Sequence, residues 1–414
     1  MSQRRPSIAI VGSGPAGLMA ANQIATATAI GARVTVFERR PGIGRKLLIA
    51  GSSGLNISHD APLEEFLEFY SDRARSHKRE CDPRLMNALR SYPAEKWVGF
   101  VAGLGHEVFV GSSRRWFVRE MKASQLLASW TAHLRGLGTE FKPSTEIATR
   151  DALEDLRSRF DAVILALGGA SWEETLPVWP ALLTEYGVEV APFSPSNVGY
   201  EVDFPEGLIQ EAEGKPIKNC TLTTRLGSKQ GELMLTRYGL EGTPMYFVGT
   251  EGSATLNLKP GVPPSDWLKM ISKPLKENLS PIRRLKRLGG LSEAAQAIVF
   301  HLYGRLQSQL PLKSLPADGN LSHRKVEELA RLARFVQAVP LTLLRPRPLA
   351  EAISSKGGVV WSELDDTLML RKIPGVYCAG EMIDWDAPTG GFLIQASVAL
   401  GARAAECALA SLRV

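Results

Sequence analysis

The run Ser7-Ile-Ala-Ile-Val11 passing directly into Gly12-Ser-Gly14-Pro-Ala-Gly17 constrains this chain more than any other stretch. Five residues suited to a buried parallel strand lead into a G-x-G-x-x-G, and the Ala-rich segment Leu18–Ala29 reads as a helix. Arg33-Val-Thr-Val-Phe37 reads as a second strand ending at Glu38. Gly12 permits a tight turn, Gly14 lets backbone approach a pyrophosphate, and Gly17 lets helix and strand pack closely. The helix start at Pro15, Ala16 and Gly17 presents free N–H groups and a positive dipole end to phosphates. Glu38 would accept from both ribose hydroxyls of an adenosine, and its charge disfavours a 2′-phosphate, so the site suits FAD or NAD rather than NADP. Ser13 in the turn and Arg39 after the acid belong to the same predicted site. A G-x-G-x-x-G alone is equally a glycine-rich loop; the strand, helix, second strand and terminal acid together make it a dinucleotide site.

The other end of the chain separates FAD from NAD. Gly375-Val-Tyr-Cys-Ala-Gly380-Glu381 is a turn, a short apolar strand and an acid. Gly390-Gly391-Phe392-Leu393 then leads into an Ala-rich helix, Ala396–Leu412. In FAD enzymes of the glutathione-reductase type, such an acid accepts from a ribityl hydroxyl. The helix start faces the flavin N1–C2=O edge, where its dipole stabilises negative charge. A surface acid after a turn is the plain alternative for Glu381. Phe160–Leu167 reads as a buried strand running past Ala166 into Gly168-Gly169, either a core strand with a turn or the strand that returns the chain to the cofactor.

Residues 42–58 form a glycine-rich segment with two cations, Arg45 and Lys46, able to wrap a pyrophosphate through backbone N–H groups. Gly54 and Asn56 fall within it. Residues 41–60 contain no cysteine, which argues against thiol–disulfide chemistry.

Together, Gly44-Arg-Lys-Leu-Leu-Ile-Ala-Gly-Ser-Ser-Gly-Leu-Asn56 and Gly380-Glu-Met-Ile-Asp-Trp-Asp-Ala-Pro-Thr-Gly-Gly391 resemble the BaiN/YhiN-like NAD(P)/FAD-dependent oxidoreductases, also called the aminoacetone oxidase family. Residues 111–122, 231–242 and 352–359 extend the resemblance over nearly the whole chain. Most of that family carries a G-G-G-R-C-N loop. Here Ser52-Ser53-Gly54-Leu55-Asn56 lacks the arginine and cysteine, as in a subgroup with G-x-G-L-N. This departure sets the chain apart from the better-known branch, whose assigned substrates include unsaturated steroid acids.

The resemblance implies an α/β protein. A glutathione-reductase-type Rossmann FAD-binding domain, residues 1–190 and 340–414, would be split by a β-rich insertion (191–262 and 311–339) and a small helical domain (263–310). It also implies non-covalent FAD, a flavin oxidoreductase acting on a small organic substrate, and transient docking of NAD(P)H. No second strand followed by G-x-G-x-x-G marks a separate nicotinamide domain. Lys356, Asp384, Asp386 and Tyr238 are candidate side chains at the flavin edge. Lys356 is equally an exposed turn lysine, and the two aspartates equally cap a turn. Trp116-Phe117 lines a pocket or the core. Cys378 reads as a packing residue.

Composition trims the remaining classes. At 414 residues, 44% hydrophobic and 22% charged, the chain is neither disordered nor collagen-like. Four scattered cysteines and six histidines show no metal-ligand spacing, so no protein-bound metal is expected. No uninterrupted apolar run is long enough to span a bilayer. Gly12, Gly14 and Gly17 break the N-terminal apolar stretch after Arg4 and Arg5, against a secretion signal, and a cytoplasmic location is expected. The net charge of +6 is mild. Lys273, Lys276, Arg283, Arg284, Lys286 and Arg287, against Glu277, read as a solvated helix face or an RNA- or membrane-facing patch. The competing functions are a non-catalytic flavin-binding redox sensor, an RNA-associated flavoprotein and a plain NAD-dependent dehydrogenase.

Overall fold

The computed structural model describes residues 5–27, 30–51, 54–70, 81–273, 280–309 and 321–412. Arg4, Ser52, Ser53, Lys276 and Glu277 lie outside them. The chain forms two compact units, one of residues up to 196 together with 349–414, the other essentially 197–348.

In the first unit, strand β1 (Ser7–Val11) is wholly buried and leads into helix α1 (Pro15–Thr26). Proline at the first helical position starts α1 three residues before the expected Leu18, because its missing N–H costs nothing there. Strand β2 (Arg33–Phe37) follows. The segment expected as a loop contains a short helix, α2 (Arg45–Ala50), and strand β3 (Asn56–His59). Strands β4 (Val108–Val110) and β5 (Arg115–Val118) complete a small antiparallel sheet with β3. Strands β6 (Glu140–Lys142), β7 (Ala162–Leu165) and β8 (Val190–Ser196) come next.

The second unit is built on an antiparallel sheet of β9 (Tyr200–Glu201), β10 (Pro216–Thr224), β11 (Gly227–Thr236), β12 (Gly239–Gly242), β13 (Gly252–Asn257) and β14 (Val339–Leu343). Its helical stretch is broken into Pro264–Ile271, Pro281–Leu288 and Glu293–Gln309. Residues 321–337, expected within the β-rich part, are a helix. The chain then returns to the first unit through β15 (Ser354–Val359), β16 (Val376–Cys378) and a helix, Phe392–Ser411.

Strand pairing sets the edges of the units. β8 pairs with β15, so residues 190–196 belong with the first unit. β14 pairs with β13, so residues 339–343 belong with the second. Both edges therefore lie beyond the expected 190 and 340.

The central sheet of the first unit is parallel, in the order β16-β7-β1-β2-β6. Helix Phe392–Ser411 is apolar and long enough to resemble a bilayer span by composition, a resemblance the broken apolar runs of the sequence hid. Here it is core: most of it is buried, and it crosses α1 where Gly401 meets Ala16. Cys378 is buried in β16, and burial pushes its thiol well up, as expected of a packing residue.

Candidate functional site

The site is built where β1 and β2 end side by side. Gly12 N–H donates to the Phe37 carbonyl at 2.8 Å. Gly12 itself has φ 109, and a Cβ there would stand 2.2 Å from the Ala166 carbonyl oxygen on the loop after β7. At Gly14 a Cβ would meet nothing within 4 Å. One glycine is thus required by the fold, while the other leaves open space at the uncapped start of α1. That space is what a pyrophosphate needs.

Glu38 is pinned on both sides, its N–H donating to Lys142 O (3.0 Å) and its C=O accepting from Thr145 N–H (2.8 Å). Its carboxylate accepts from the Ser13 N–H (3.2 Å), from the Ser13 hydroxyl and from the Arg40 N–H (2.9 Å). Ser13 Oγ accepts in turn from Gly44 N–H at 3.1 Å. Ser13 therefore ties the G-x-G turn to the second glycine-rich segment, a role its position in the motif does not reveal.

Glu173 carries no local motif, yet Arg39, Arg40 and Arg45 converge on it at 2.8, 2.9 and 3.4 Å. Burial pushes its carboxyl up; the Arg39 bond and charge, then Lys46 and Arg40, outweigh this and hold it below the usual range. Lys46 on α2 donates to the Gly169 carbonyl at 2.7 Å, and burial lowers its ammonium despite the nearby Glu381. Gly12, Ser13, Gly14, Glu38, Arg39, Arg45, Lys46, Ala166, Gly168 and Gly169 all line one cleft. Its lining carries four cations (Arg39, Arg40, Arg45, Lys46) and three carboxylates (Glu38, Glu146, Glu173), which suits a diphosphate with its ribose on Glu38.

The Glu173 cluster gives a pH test. The carboxyl titrates lower in the folded chain than its ordinary 4.5, so its contribution to stability is full above about pH 4.5 and lost as pH falls through the lower folded value. Glu173→Gln is expected to lower Tm at pH 7 and to flatten the fall of Tm below about pH 4.5. An unchanged acid slope in a pH series of melting curves would remove Glu173 from that role.

Beyond Gly169 the chain packs against the segment that follows β16; Gly380, Glu381, Gly390, Gly391, Phe392 and Leu393 are not among the residues that line this cleft. Ala379 N–H donates to Leu165 O at 2.9 Å, and a Cβ on Gly169 would lie 3.7 Å from Glu381 Cβ. Burial raises the Glu381 carboxyl, with Lys46 pulling it down and Asp386 adding to the rise. Gly380 packs against Ala16. Gly390 and Gly391 precede the helix at Phe392 and Leu393, earlier than the expected Ala396. Gly391 lies so close to the Ser58 backbone that a Cβ would stand 2.6 Å away. Gly54 packs on Met121, and Asn56 opens β3 opposite Phe117; neither lines this cleft.

Among the catalytic candidates, Lys356 Nζ lies 3.7 Å from Asp386, whose carboxylate accepts from Ser196 Oγ (2.8 and 2.9 Å) and from the Ala387 N–H (2.9 Å). Asp384 accepts from the Gly357 N–H at 3.2 Å. Both aspartates thus anchor backbone or hydroxyl groups. Tyr238 belongs to the second unit, hydrogen-bonded to Glu241 at 2.5 Å beneath the Arg347 guanidinium. Trp116 and Phe117 lie half-buried in β5, Phe117 stacked on Phe109.

Comparison with known proteins gives relatives that match essentially end to end. A 3-dehydro-bile acid delta(4,6)-reductase of Clostridium scindens is 26% identical over 97% of this chain and 98% of its own length. A ribosomal RNA dihydrouridine synthase of Haemophilus influenzae is 23% identical over 95% and 96%. Among solved structures, a 3-ketosteroid delta1-dehydrogenase from Sterolibacterium denitrificans aligns over 98% of the chain and 99% of its own, at 14% identity and a TM-score of 0.48. The model of the HI0933-like protein Rossmann domain matches residues 6–407, and with the βαβ cleft it places this chain in that FAD-binding family.

Proposed function

We propose that the chain is an oxidoreductase that holds FAD non-covalently along this cleft and acts on a small organic molecule with a reducible bond. One observation carries the reading: the G-x-G turn, Glu38, the cations of α2 and the glycines after β7 line a single cleft. In this reading the start of α1 and the Gly12–Gly17 turn bind the pyrophosphate, and Glu38 accepts from the ribose hydroxyls. Arg39, Arg45 and Lys46 offset the phosphate charge. Glu381 accepts from a ribityl hydroxyl, and the helix start after Gly391 faces the flavin ring. FAD, when bound, takes up and hands on a hydride equivalent at flavin N5. Lys356, paired with Asp386, would exchange a proton with solvent or substrate. The activities of a delta(4,6)-reductase and a dihydrouridine synthase that this chain matches end to end support reduction of a carbon–carbon double bond as the reaction class.

The purified protein is expected to be yellow with a flavin spectrum, to release FAD on acid precipitation, and to bleach anaerobically with NADH or NADPH. A colourless protein would overturn the reading, and a flavin that no donor bleaches would favour a redox-sensing role. The RNA-associated alternative draws on the Haemophilus relative and on helix Pro281–Leu288. Part of that basic face is engaged: Arg284 donates to the Ile271 and Lys273 carbonyls, and Lys286 lies over the Phe300 ring. RNA binding would require a salt-dependent shift that disappears when Arg283, Arg284, Lys286 and Arg287 are neutralised.

A further inference from the structure

The segment between Gly169 and the helix Trp179–Thr184 is fastened at both ends. At its start, Trp172 N–H donates to Leu349 O (3.1 Å), and the Arg45 guanidinium donates to Trp172 O (3.4 and 3.5 Å). Trp172 has φ 56, a backbone state that a bulky side chain keeps only when its surroundings fix it. The next residue, Glu173, does that. Its side chain is 9% exposed, with Oε1 accepting from Arg39 (2.8 Å) and Arg45 (3.4 Å) and Oε2 from Arg40 (2.9 Å). Arg39 and Arg40 follow β2 and Arg45 opens α2, so one carboxylate ties the segment to both elements. At the far end Trp179 is buried, edge-on to Phe193 (centroids 5.7 Å apart, planes at 81°). Between these anchors, residues 174–177 form no backbone–backbone hydrogen bond among the described residues.

The face that this segment turns to the cleft is apolar. Leu176 is 65% exposed and Val178 51%, the two most exposed large hydrophobic side chains among the described residues, and both line the cleft. Phe37, Ile147 and Trp179 line it too, but each is at most 9% exposed and already covered. The apolar surface that a ligand can still cover there comes chiefly from Leu176 and Val178. In the flavin reading, the pyrophosphate, the ribose and the ribityl chain each have partners, and the adenine has none. An uncharged flat base needs an apolar wall beside the polar groups that orient it.

We propose that residues 173–178 form a strap whose Leu176 and Val178 pack on the adenine of the cofactor, and that Glu173 is the positioning residue that latches the strap to Arg39, Arg40 and Arg45. Naming the base as the adenine of FAD rests on the flavin reading above; the strap and its latch rest on these contacts. The latch carries an electrostatic penalty. A carboxylate among cations that face a diphosphate repels the diphosphate and occupies their donors. By charge alone, removing it would tighten cofactor binding; a latch requires the opposite sign.

The test follows FAD release from the protein as purified, by flavin fluorescence after dilution, and the binding of ADP and of FMN to the FAD-stripped protein, by thermal shift. The double variant Leu176→Ser, Val178→Ser changes exposed positions and should keep the Tm of the stripped protein. It should release FAD at least about tenfold faster and bind ADP about tenfold more weakly, with FMN affinity unchanged. Glu173→Gln should also release FAD about tenfold faster and weaken ADP without weakening FMN. Slower FAD release from Glu173→Gln, wild-type FAD release and ADP affinity in the double variant, or equal weakening of ADP and FMN would each overturn the proposal. The last result would report general loosening rather than a strap on the base. A yellow protein whose double variant behaves as wild type would sink the strap alone. A colourless protein whose ADP binding still depends on Leu176 and Val178 would sink the flavin reading and leave the strap on another adenine nucleotide.

Discussion

Gly401→Ala is expected to lower the melting temperature by several degrees, although helix propensity alone argues for a rise. Gly401 sits inside the helix Phe392–Ser411, where alanine is favoured over glycine by about 1 kcal/mol. Its Cβ, however, would stand 2.1 Å from the Ala16 carbonyl oxygen and 2.8 Å from the Ala16 carbonyl carbon. Both atoms are backbone, so no rotamer change relieves the contact, and the two helices must separate. Overpacking of this kind costs roughly 1–3 kcal/mol or more, enough to cancel the propensity gain and reverse its sign. Because the displaced helix is α1, weaker FAD retention should accompany the lower Tm. Gly99 is the control: it is exposed within the helix Ala94–Gly103, and a Cβ there meets nothing within 4 Å. Gly99→Ala should therefore raise Tm slightly. Calorimetry on the two variants decides the matter, and a Tm gain in Gly401→Ala would refute the close crossing.

A second pair of substitutions separates a glycine the fold needs from one the ligand needs. Gly12→Ala combines φ 109 with a Cβ 2.2 Å from Ala166 O. Strain of that type costs about 1–3 kcal/mol before the clash is counted. The contact also lies beside the β1–β7 ladder, where Ala166 N–H donates to Val11 O at 2.8 Å. The variant should lose stability and bind FAD at least about tenfold more weakly. Gly14→Ala has φ −72 and open space, so its Tm without cofactor should match wild type. Its FAD affinity should nonetheless fall about tenfold, because the added methyl takes the place of the approaching phosphate. Melting curves of the FAD-stripped proteins, with fluorescence titration by FAD, measure the two effects separately. Equal FAD affinity for Gly14→Ala and wild type would place the pyrophosphate elsewhere.

How far the sequence reaches into this site depends on how local each contact is. The βαβ unit was legible because strand, turn, helix and acid follow one another within residues 7–38. The parallel β1–β2 register and the turn at Gly12 follow from that order. α2 was not legible: it has six residues after a left-handed Gly44, too short to display a helical period among glycines. The Glu173 cluster was invisible for another reason, since its arginines at 39, 40 and 45 are remote in sequence and only the fold brings them together. The edges of the inserted unit depend equally on nonlocal pairing, of β8 with β15 and β13 with β14, and composition cannot anticipate either ladder. Within the helical domain expected at 263–310, Pro281 and Gly289 bound one short helix.

The route of the chain has a consequence during synthesis. The chain leaves the first unit at the end of β8 and re-enters through β15, with Ser196 directly opposite Ser354 in one antiparallel ladder. On the ribosome, β1, β2 and β7 emerge early, but β16 and the helix that covers α1 arrive only after residues 197–348 have been made. Until then the nascent first half carries an open sheet edge at β7 and an uncovered apolar face on α1, the kind of surface that invites misassembly. The inserted unit, contiguous in the chain, is free to fold in that interval. It acts as a delay between the two halves of the nucleotide-binding unit, which cannot close its core until β16 and the helix Phe392–Ser411 have been made.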